Sequence, residues 1–381
     1  MTRLLLLTSE FVPFHGGIGA YARELAIAAT AAGHEVTLLA PDYGKDCIEI
    51  DRTLPFTVKR FASGAPTMRG LPRRILETWR LLRSARFDII HAADWPFFIP
   101  LRLASPLLRN ASVLLTVHGT EIIYMQQPKR RHMLGAIGFW RPGWANWIAN
   151  SRYTADLLLD RFPQVPAAMV RAVPLGVARQ WATGRTDRAD ARAALRVTDE
   201  RIVIVSLGRV VPRKGHGVIA DALALLPREL AARIDWWVIG PRLNADYAAA
   251  LDMATRDLSA RTDFLGGLPD TDVRARLSAA DLFCLPGYQD DSGRVEGFGL
   301  VFLEAGAYGL PSIATRSGGI PEAVEDGITG LLVPERDPAA LADAIARLVE
   351  DPQMRARMGM AARAKADAST WDSVMRSTYG G

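Results

Sequence analysis

Short apolar runs of strand length recur along all 381 residues, each followed by a loop and then by a helical stretch. In the first half these runs are Leu4–Thr8, Glu35–Ala40, Phe87–His91, Ser112–Val117 and Ala145–Ala149. In the second they are Ile202–Leu207, Trp236–Gly240, Phe264–Gly266, Asp281–Pro286, Pro311–Thr315 and Thr329–Val333. Runs such as Leu4-Leu5-Leu6-Leu7 are apolar on both faces of the pleat, which suits a parallel strand covered by helices on both sides. Strand–helix alternation of this kind predicts an α/β fold with crossover connections. The length suits two domains with a core each. Pro174-Leu175-Gly176-Val177 closes the first half, which sets expected boundaries at 1–177, 178–366 and 367–381. A polar helical connection is expected from Trp181 to Ala194, two surface helices from Pro338 to Lys365, and a final helix from Ser369 to Tyr379.

In open α/β sheets ligands sit beyond the C-terminal ends of strands, so the residues just after each run are candidate sites. Ile202–Leu207 leads into Gly208-Arg209-Val210-Val211-Pro212-Arg213-Lys214-Gly215, with a helix expected near His216. Two cations and two glycines at a helix start suit a diphosphate. The Gly-Lys-Ser/Thr order of a Walker loop is absent, and a plain exposed basic turn is the competing account. His118-Gly119-Thr120-Glu121 follows Ser112–Val117 and places an imidazole at a strand end.

The stretch from Ser292 to Gly319 carries the most chemistry. Glu296 and Glu304 stand eight positions apart, separated by Gly297-Phe298-Gly299 and the apolar Leu300-Val301-Phe302-Leu303. This pattern predicts a loop entering a helix at Gly299 or Leu300, with Glu304 one turn inside. Unpaired amides of the first turn favour an anion, and carboxylates on either side favour hydroxyls flanking it. A nucleotide sugar has that form. Two solvated glutamates around a glycine-punctuated helix start are the alternative. A second glycine turn, Ser317-Gly318-Gly319, precedes Ile320.

The loop from Glu10 to His15 ends in Gly16-Gly17-Ile18-Gly19 before a helix expected from Tyr21 to Ala32. Gly17, Gly19 and Ala22 match G-x-G-x-x-A, and Asp42 follows the second strand, which keeps an NAD-dependent oxidoreductase open. The first glycine of that fingerprint belongs directly after the strand, however, and here some eight residues intervene.

The net charge of +5 is uneven: residues 1–175 hold 21 Lys+Arg against 13 Asp+Glu, whereas the remainder is net acidic. Arg69, Arg73, Arg74, Arg80, Arg83 and Arg86 interleave with Ile75, Leu76, Trp79, Leu81 and Leu82 as a basic amphipathic helix. Lys129-Arg130-Arg131 precede Phe139, Trp140, Trp144 and Trp147. Cations beside aromatics suit an anionic membrane surface, with a solvated helix and a packed aromatic core as the alternative. No pattern of an RNA-binding module is present, and nucleic acid is not expected as a partner. No apolar run reaches membrane-spanning length, and the N-terminal leucines are too few for a secretory segment. Cys47 and Cys284, far apart, suggest neither a disulfide framework nor a zinc site, and a reducing cytoplasm is the expected compartment.

Taken together, GGIGAYARELA, VHGTE, IANSRYTADLL, VPLGV, GRVVPRKG, EGFGLVFLEAGAYGLPSIAT, SGGIPEAV and GITGLLVP occur in the order of a known family. Along nearly its whole length the chain resembles retaining glycosyltransferases of family GT4, with the GT-B fold, and bacterial mannosyltransferase-like members in particular. The resemblance implies two Rossmann-like domains facing across a cleft: an N-terminal acceptor-binding domain, a C-terminal nucleotide-sugar-binding domain, and a last helix that crosses back to the first. Arg209 and Lys214 match the grip on the donor diphosphate. Glu304 matches the carboxylate at the nucleotide ribose and Glu296 the one at the donor sugar. Gly297, Phe298, Gly299 and Leu300 match backbone amides over sugar and phosphates, Gly16 and Gly17 the loop over the diphosphate, and His118 the histidine near the donor sugar. Ala178 departs from the aspartate frequent at its position.

The implied reaction moves a hexose, with mannose from GDP-mannose favoured, to a glycan or lipid-linked acceptor in cell-envelope or polysaccharide biosynthesis. UDP-glucose and UDP-N-acetylglucosamine remain open as donors. A non-catalytic nucleotide-sugar-binding protein is the alternative of another class. No Asp-x-Asp stands at a strand end, so neither a metal nor another cofactor is expected. The basic first half suggests peripheral attachment at the inner face of the plasma membrane.

Overall fold

The computed structural model describes residues 1–14, 16–44, 46–62, 70–108 and 110–380. His15 and Arg69, named above in the first loop and the basic helix, lie outside the described residues. The chain divides into two compact units, Met1–Leu175 with Trp371–Gly381, and Gly176–Thr370. The first change of unit thus falls two residues before the boundary expected at 177, and the second falls at Trp371, where the final helix begins.

The described residues of the first unit hold seven strands: β1 (Arg3–Leu7), β2 (Glu35–Asp42), β3 (Thr57–Ala62), β4 (Ile89–Ala92), β5 (Ser112–Val117), β6 (Asn146–Ala149) and β7 (Val170–Ala172). They form one sheet in the order β3-β2-β1-β4-β5-β6-β7, with every pair parallel. Leu4 to Leu7 are fully buried, as strands covered on both faces must be. The spacing does not predict β3 or β7. Both are edge strands: β3 carries Lys59 and Arg60 where a central strand would carry apolar residues, a usual protection of an edge, and β7 has three residues.

Three other expectations in this unit are corrected. The first helix runs from Gly17 to Ala31, so the glycines form its opening turn rather than a loop before it. The basic helix spans Leu71–Ser84, and Arg74, Thr78 and Leu82 make its buried stripe at i, i+4 and i+8. Arg74 is therefore 1% exposed and not part of a charged outer face. The cluster Phe139, Trp140, Trp144 and Trp147 is core, not interface. The ring of Phe139 lies within 5.8 Å of the other three, Trp140 stacks on Phe162 at 4.6 Å, and Phe139 and Trp147 are nearly inaccessible. Aromatic area of that size stabilises by leaving water, and sheet and helices supply the partners.

The Trp371–Tyr379 helix packs in the first unit against Gly17–Ala31. Trp371 meets Tyr21 edge-on at 5.8 Å. Arg171 donates to the carbonyls of Ser377 (3.1 Å) and Thr378 (2.9 Å), which caps the helix end.

The second unit holds β8 (Ile202–Leu207), β9 (Ile234–Ile239), β10 (Arg261–Gly266), β11 (Leu282–Cys284), β12 (Ser312–Thr315) and β13 (Gly330–Val333). Their order is β10-β9-β8-β11-β12-β13, again all parallel. The expected connection of residues 181–194 is two helices, Arg179–Ala182 and Arg188–Ala194, because Gly184 takes a left-handed conformation and Asp187 caps the second. This segment is not merely polar linker. Arg192, 4% exposed, and Arg188 both pair with the buried carboxylate of Asp281 at the start of β11, and Asp281 also accepts the Val203 amide at 2.9 Å. The helices Pro338–Glu350 and Pro352–Ala368 are likewise part of the packing. Leu341, Ile345 and Leu348 are fully buried, and Gly306 brings the backbone of Leu300–Ala307 so near Ala362 that a Cβ there would sit 2.9 Å from its carbonyl oxygen.

Candidate functional site

In the second unit the strand order reverses between β8 and β11, so the loops leaving those two strands open a crevice at their C-terminal ends. The loop after β8 turns through Pro212–Lys214 to Gly215, which takes φ +78° and starts the His216–Leu225 helix. A Cβ on Gly215 would stand 2.1 Å from the Pro286 carbonyl oxygen. The Tyr288 amide donates to the Arg213 carbonyl at 2.9 Å. Only glycine permits this approach, and it fixes the cationic turn against the chain leaving β11.

That chain carries Glu296 to the same place. Lys214 Nζ lies 2.5 Å from Glu296 Oε2, with side chains 12% and 24% exposed. Burial alone would raise the Glu296 carboxyl; Lys214, then Arg213 and Arg209, outweigh it and hold the group below its ordinary value. Burial lowers the Arg213 guanidinium, which Glu296 partly offsets. Glu296 is thus an ionised carboxylate among three cations.

Behind it, the Ser317–Gly319 turn presses on the loop backbone. Gly319 donates to the Glu296 carbonyl at 2.9 Å, and a Cβ on Gly319 would stand 1.9 Å from the Gly297 oxygen. Gly299, at φ +93°, then opens the Leu300–Ala307 helix. Among the described residues the amides of Gly297, Phe298 and Gly299 donate to no protein acceptor. A run of unspent N–H groups at a helix start, beside Arg209, Arg213 and Lys214, is an anion site of complementary charge and hydrogen bonding. The Phe298 side chain is buried, so only its backbone faces this role. Glu304 lies in the helix one turn on, half-buried, with Arg185 and Arg274 among the charges around its neighbour Tyr308.

The first unit has its own reversal between β1 and β4. Gly16 caps the Gly17–Ala31 helix, and a Cβ there would meet Glu10 Oε2 at 2.4 Å. After β4 comes Asp94, 1% exposed, which accepts the Ser9 amide at 3.0 Å and the Ser9 hydroxyl. Burial pushes its carboxyl up to about 7, with Ser9 opposing and Glu10 and Glu121 adding to the rise. At the end of β5, His118 Nε2 lies 2.9 Å from the Ala93 carbonyl. A carbonyl only accepts, so Nε2 is the donor in this contact. Tyr21 meets this ring edge-on at 5.0 Å, and the His118 amide donates to Glu121 at 2.9 Å.

Of the residues expected from sequence, the structure gathers Lys214, Glu296 and Arg209 electrostatically in the second unit, with Gly297 to Leu300 and Glu304 following on the same loop and helix. Gly16, Gly17 and His118 belong to loops at the C-terminal edge of the first sheet. Three neighbours of these residues carry no assigned role in the sequence reading. Arg213 lies between two assigned cations, and Ser317–Gly319 reads from sequence as a glycine turn at a helix start. Asp94 sits directly after a strand, a signal that the strand-end rule carries. Among the described residues no group of three or more His, Cys, Asp or Glu is placed to hold a metal ion.

Two parallel α/β sheets with ligand loops at their reversal points place the fold among GT-B glycosyltransferases. Solved structures agree: HepE from Anabaena, crystallised with UDP and glucose, matches with a TM-score of 0.77 at 21% identity, covering 99% of this chain and 98% of that one. Sucrose-phosphate synthase from Thermosynechococcus elongatus matches with a TM-score of 0.79 at 23% identity, covering 98% and 96%. Residues 187–365 match the family described as glycosyl transferases group 1, and residues 15–181 match glycosyltransferase family 4. A GDP-mannose-dependent alpha-(1-6)-phosphatidylinositol monomannoside mannosyltransferase of Mycolicibacterium smegmatis is 33% identical over 94% of this chain and 92% of its own. A D-inositol 3-phosphate glycosyltransferase of Saccharomonospora viridis is 32% identical over 78% and 70%. The chain belongs to glycosyltransferase family 4, and it is a hexosyltransferase.

Proposed function

We propose that the protein is a retaining mannosyltransferase that moves mannose from GDP-mannose to a lipid-linked, phosphoinositide-type acceptor of the cell envelope. The observation that carries the donor side is the set of unspent amides at Gly297–Gly299 beside Arg209, Arg213 and Lys214. The printed names of the mannosyltransferase relatives carry the choice of donor and acceptor.

In this reading Arg209 and Lys214 bind the donor diphosphate, Glu304 the ribose hydroxyls and Glu296 the hydroxyls of mannose. The bond from the anomeric carbon to the phosphate oxygen breaks, and the acceptor oxygen bonds to that carbon on the same face. The acceptor proton passes to a phosphate oxygen of the departing GDP. Negative charge builds on the diphosphate in the oxocarbenium-like transition state, and fixed cations and amides stabilise it there. These groups supply the charge that a divalent ion supplies elsewhere, so no metal is required. Glu296, ionised and tied to Lys214, is suited to holding hydroxyls and not to accepting a proton.

No helix among the described residues is long and apolar enough to cross a membrane. We place the protein at the inner face of the plasma membrane, held by exposed cations of the first unit. Transfer from GDP-mannose, UDP-glucose, UDP-N-acetylglucosamine and a control with NAD, measured as nucleoside diphosphate release and product formation, tests the proposal. Turnover of GDP-mannose with retained anomeric configuration is expected. Turnover of a UDP-sugar alone would replace the donor, and a thermal shift produced by NAD alone, in a panel run with the same sugar nucleotides, would overturn the class of ligand.

A further inference from the structure

A chain of hydrogen bonds runs through the interior of the first unit and ends at the ring that packs on His118. Its members come from four elements: Tyr21 from the Gly17–Ala31 helix, His91 from β4, Thr116 from β5 and Tyr379 from the last helix. The Tyr379 hydroxyl lies 2.9 Å from His91 Nδ1, and the Thr116 hydroxyl lies 2.6 Å from His91 Nε2. The Tyr21 hydroxyl is 3.0 Å from that of Thr116. Tyr21, His91 and Thr116 are at most 1% exposed. Burial lowers the His91 imidazole to about 3, with His118 and Arg171 adding to the fall, and it raises both phenols. All members are therefore neutral near pH 7. A neutral imidazole has one donor and one acceptor nitrogen, and a hydroxyl can serve as either, so every link can be made.

Packing does not require such a chain. Apolar side chains of the same shape would fill this layer at little loss of stability, because removing both partners of a buried hydrogen bond is close to neutral. A satisfied buried network instead fixes position, since other arrangements strand its polar groups. Tyr21 is the member that meets the site. Its hydroxyl is tied to Thr116, and its ring stands edge-on to Trp371 at 5.8 Å and to His118 at 5.0 Å, with the His118 plane turned 81° from its own. Thr116 and His118 are two positions apart along an extended run, which turns them to the same side of the sheet. The His118 ring thus has two supports, the Ala93 carbonyl 2.9 Å from Nε2 and the edge-on Tyr21 ring.

We propose that Tyr21 is a positioning residue for hexosyl transfer: tied through Thr116 and His91 to Tyr379, it holds the His118 imidazole in one orientation. The proposal rests on His118 serving the transfer, which its place just past β5, at the ligand-bearing edge of the sheet, suits. Tyr379 then acts on the reaction from the last helix, through three hydrogen bonds and one ring contact.

The test measures kcat and KM of the full chain for GDP release from GDP-mannose, with Tm alongside. Tyr379→Phe keeps the ring and removes one hydroxyl. It is expected to lower kcat by about three- to tenfold and to leave KM for the donor unchanged. Thr116→Val should act in the same direction, and Thr116→Ser, which keeps the hydroxyl, should restore most of the rate. Met375→Ala, a buried change on the same helix but outside the chain, should lower Tm and leave kcat as it was. A double-variant cycle then separates positioning from stability. In a His118→Asn background Tyr379→Phe should have no further effect on kcat, while its effect on Tm persists. Losses in kcat that multiply, or a Met375→Ala protein slowed as much as Tyr379→Phe, would make the chain purely structural and overturn the proposal. Full turnover by His118→Asn would remove the imidazole from the reaction, and the positioning role with it. A wild-type protein that turns over a UDP-sugar and not GDP-mannose would instead strike the donor proposed above, and the same cycle run on that UDP-sugar decides the role of Tyr21.

Discussion

Lys214 and Glu296 are 82 residues apart in sequence and joined by a 2.5 Å ion pair at the reversal point of the second sheet. The pair sets charges in place before any ligand arrives. Fixed charge costs no reorganisation during reaction, which is how such groups lower a barrier. Glu296→Gln and Lys214→Met should each reduce kcat/KM by about 10²–10³-fold. The double variant should lose much less than the product of the two, because each single change already strands the partner. Losses that multiply would mean that the two side chains act independently.

Gly319 makes a sharper test of the loop. A methyl group there meets the Gly297 oxygen at 1.9 Å, so Gly319→Ala must displace the segment that carries Glu296 and the free amides. Donor affinity is expected to fall further than thermal stability, which should change by about 1–3 kcal/mol. Gly267→Ala, with nothing within 4 Å of its Cβ, is the matched control and should be silent. Equal effects at both positions would remove the close approach as the cause.

His216 gives a signed pH effect. Its ring is fully buried, and burial, with Lys214 adding, lowers it from 6.5 to about 3. The folded state therefore favours the neutral ring. The stability this contributes is present above pH 6.5 and is lost as pH falls towards 3. Asp94, raised to about 7, works in the opposite sense, since its contribution is lost as pH rises through 7. The comparison must therefore be between variant and wild type. His216→Leu should narrow the gap in Tm between pH 7.5 and pH 5. An unchanged gap would show that this ring does not titrate between the folded and unfolded states.

Catalysis through Arg209, Arg213, Lys214 and backbone amides predicts full transfer in excess chelator. Activity abolished by the chelator and restored by a divalent ion would refute it. Product yield from GDP-mannose with and without the chelator decides the matter.

The exposed cations of Leu71–Ser84 predict salt-sensitive vesicle binding, but weaker than the sequence suggests. Arg73 and Arg80 share Glu77 at 2.9 Å each, and Arg74 is buried. Binding to anionic vesicles should fall steeply with salt and vanish on neutral ones. Binding indifferent to both would locate any attachment elsewhere.

The fold was legible because the signals are local. Uninterrupted apolar strands, helical stretches and glycine turns already dictate parallel α/β units, and the central strands form close to where the pattern puts them. The edge strands β3 and β7 escaped because an edge tolerates charge and brevity. Arg74 and the Phe139 cluster were misjudged because helical periodicity gives a face, whereas burial depends on which neighbour covers it. At the site, residue types and order mark Arg209, Lys214, Glu296 and the glycines as candidates. Sequence order does not join them. Only tertiary structure pressed Gly215 against Pro286 and Gly319 against Gly297, and those contacts carry Lys214 to Glu296. Chemistry resides in residue types and spacing along the chain, while the electrostatics of a buried carboxylate depend on distances that folding alone sets.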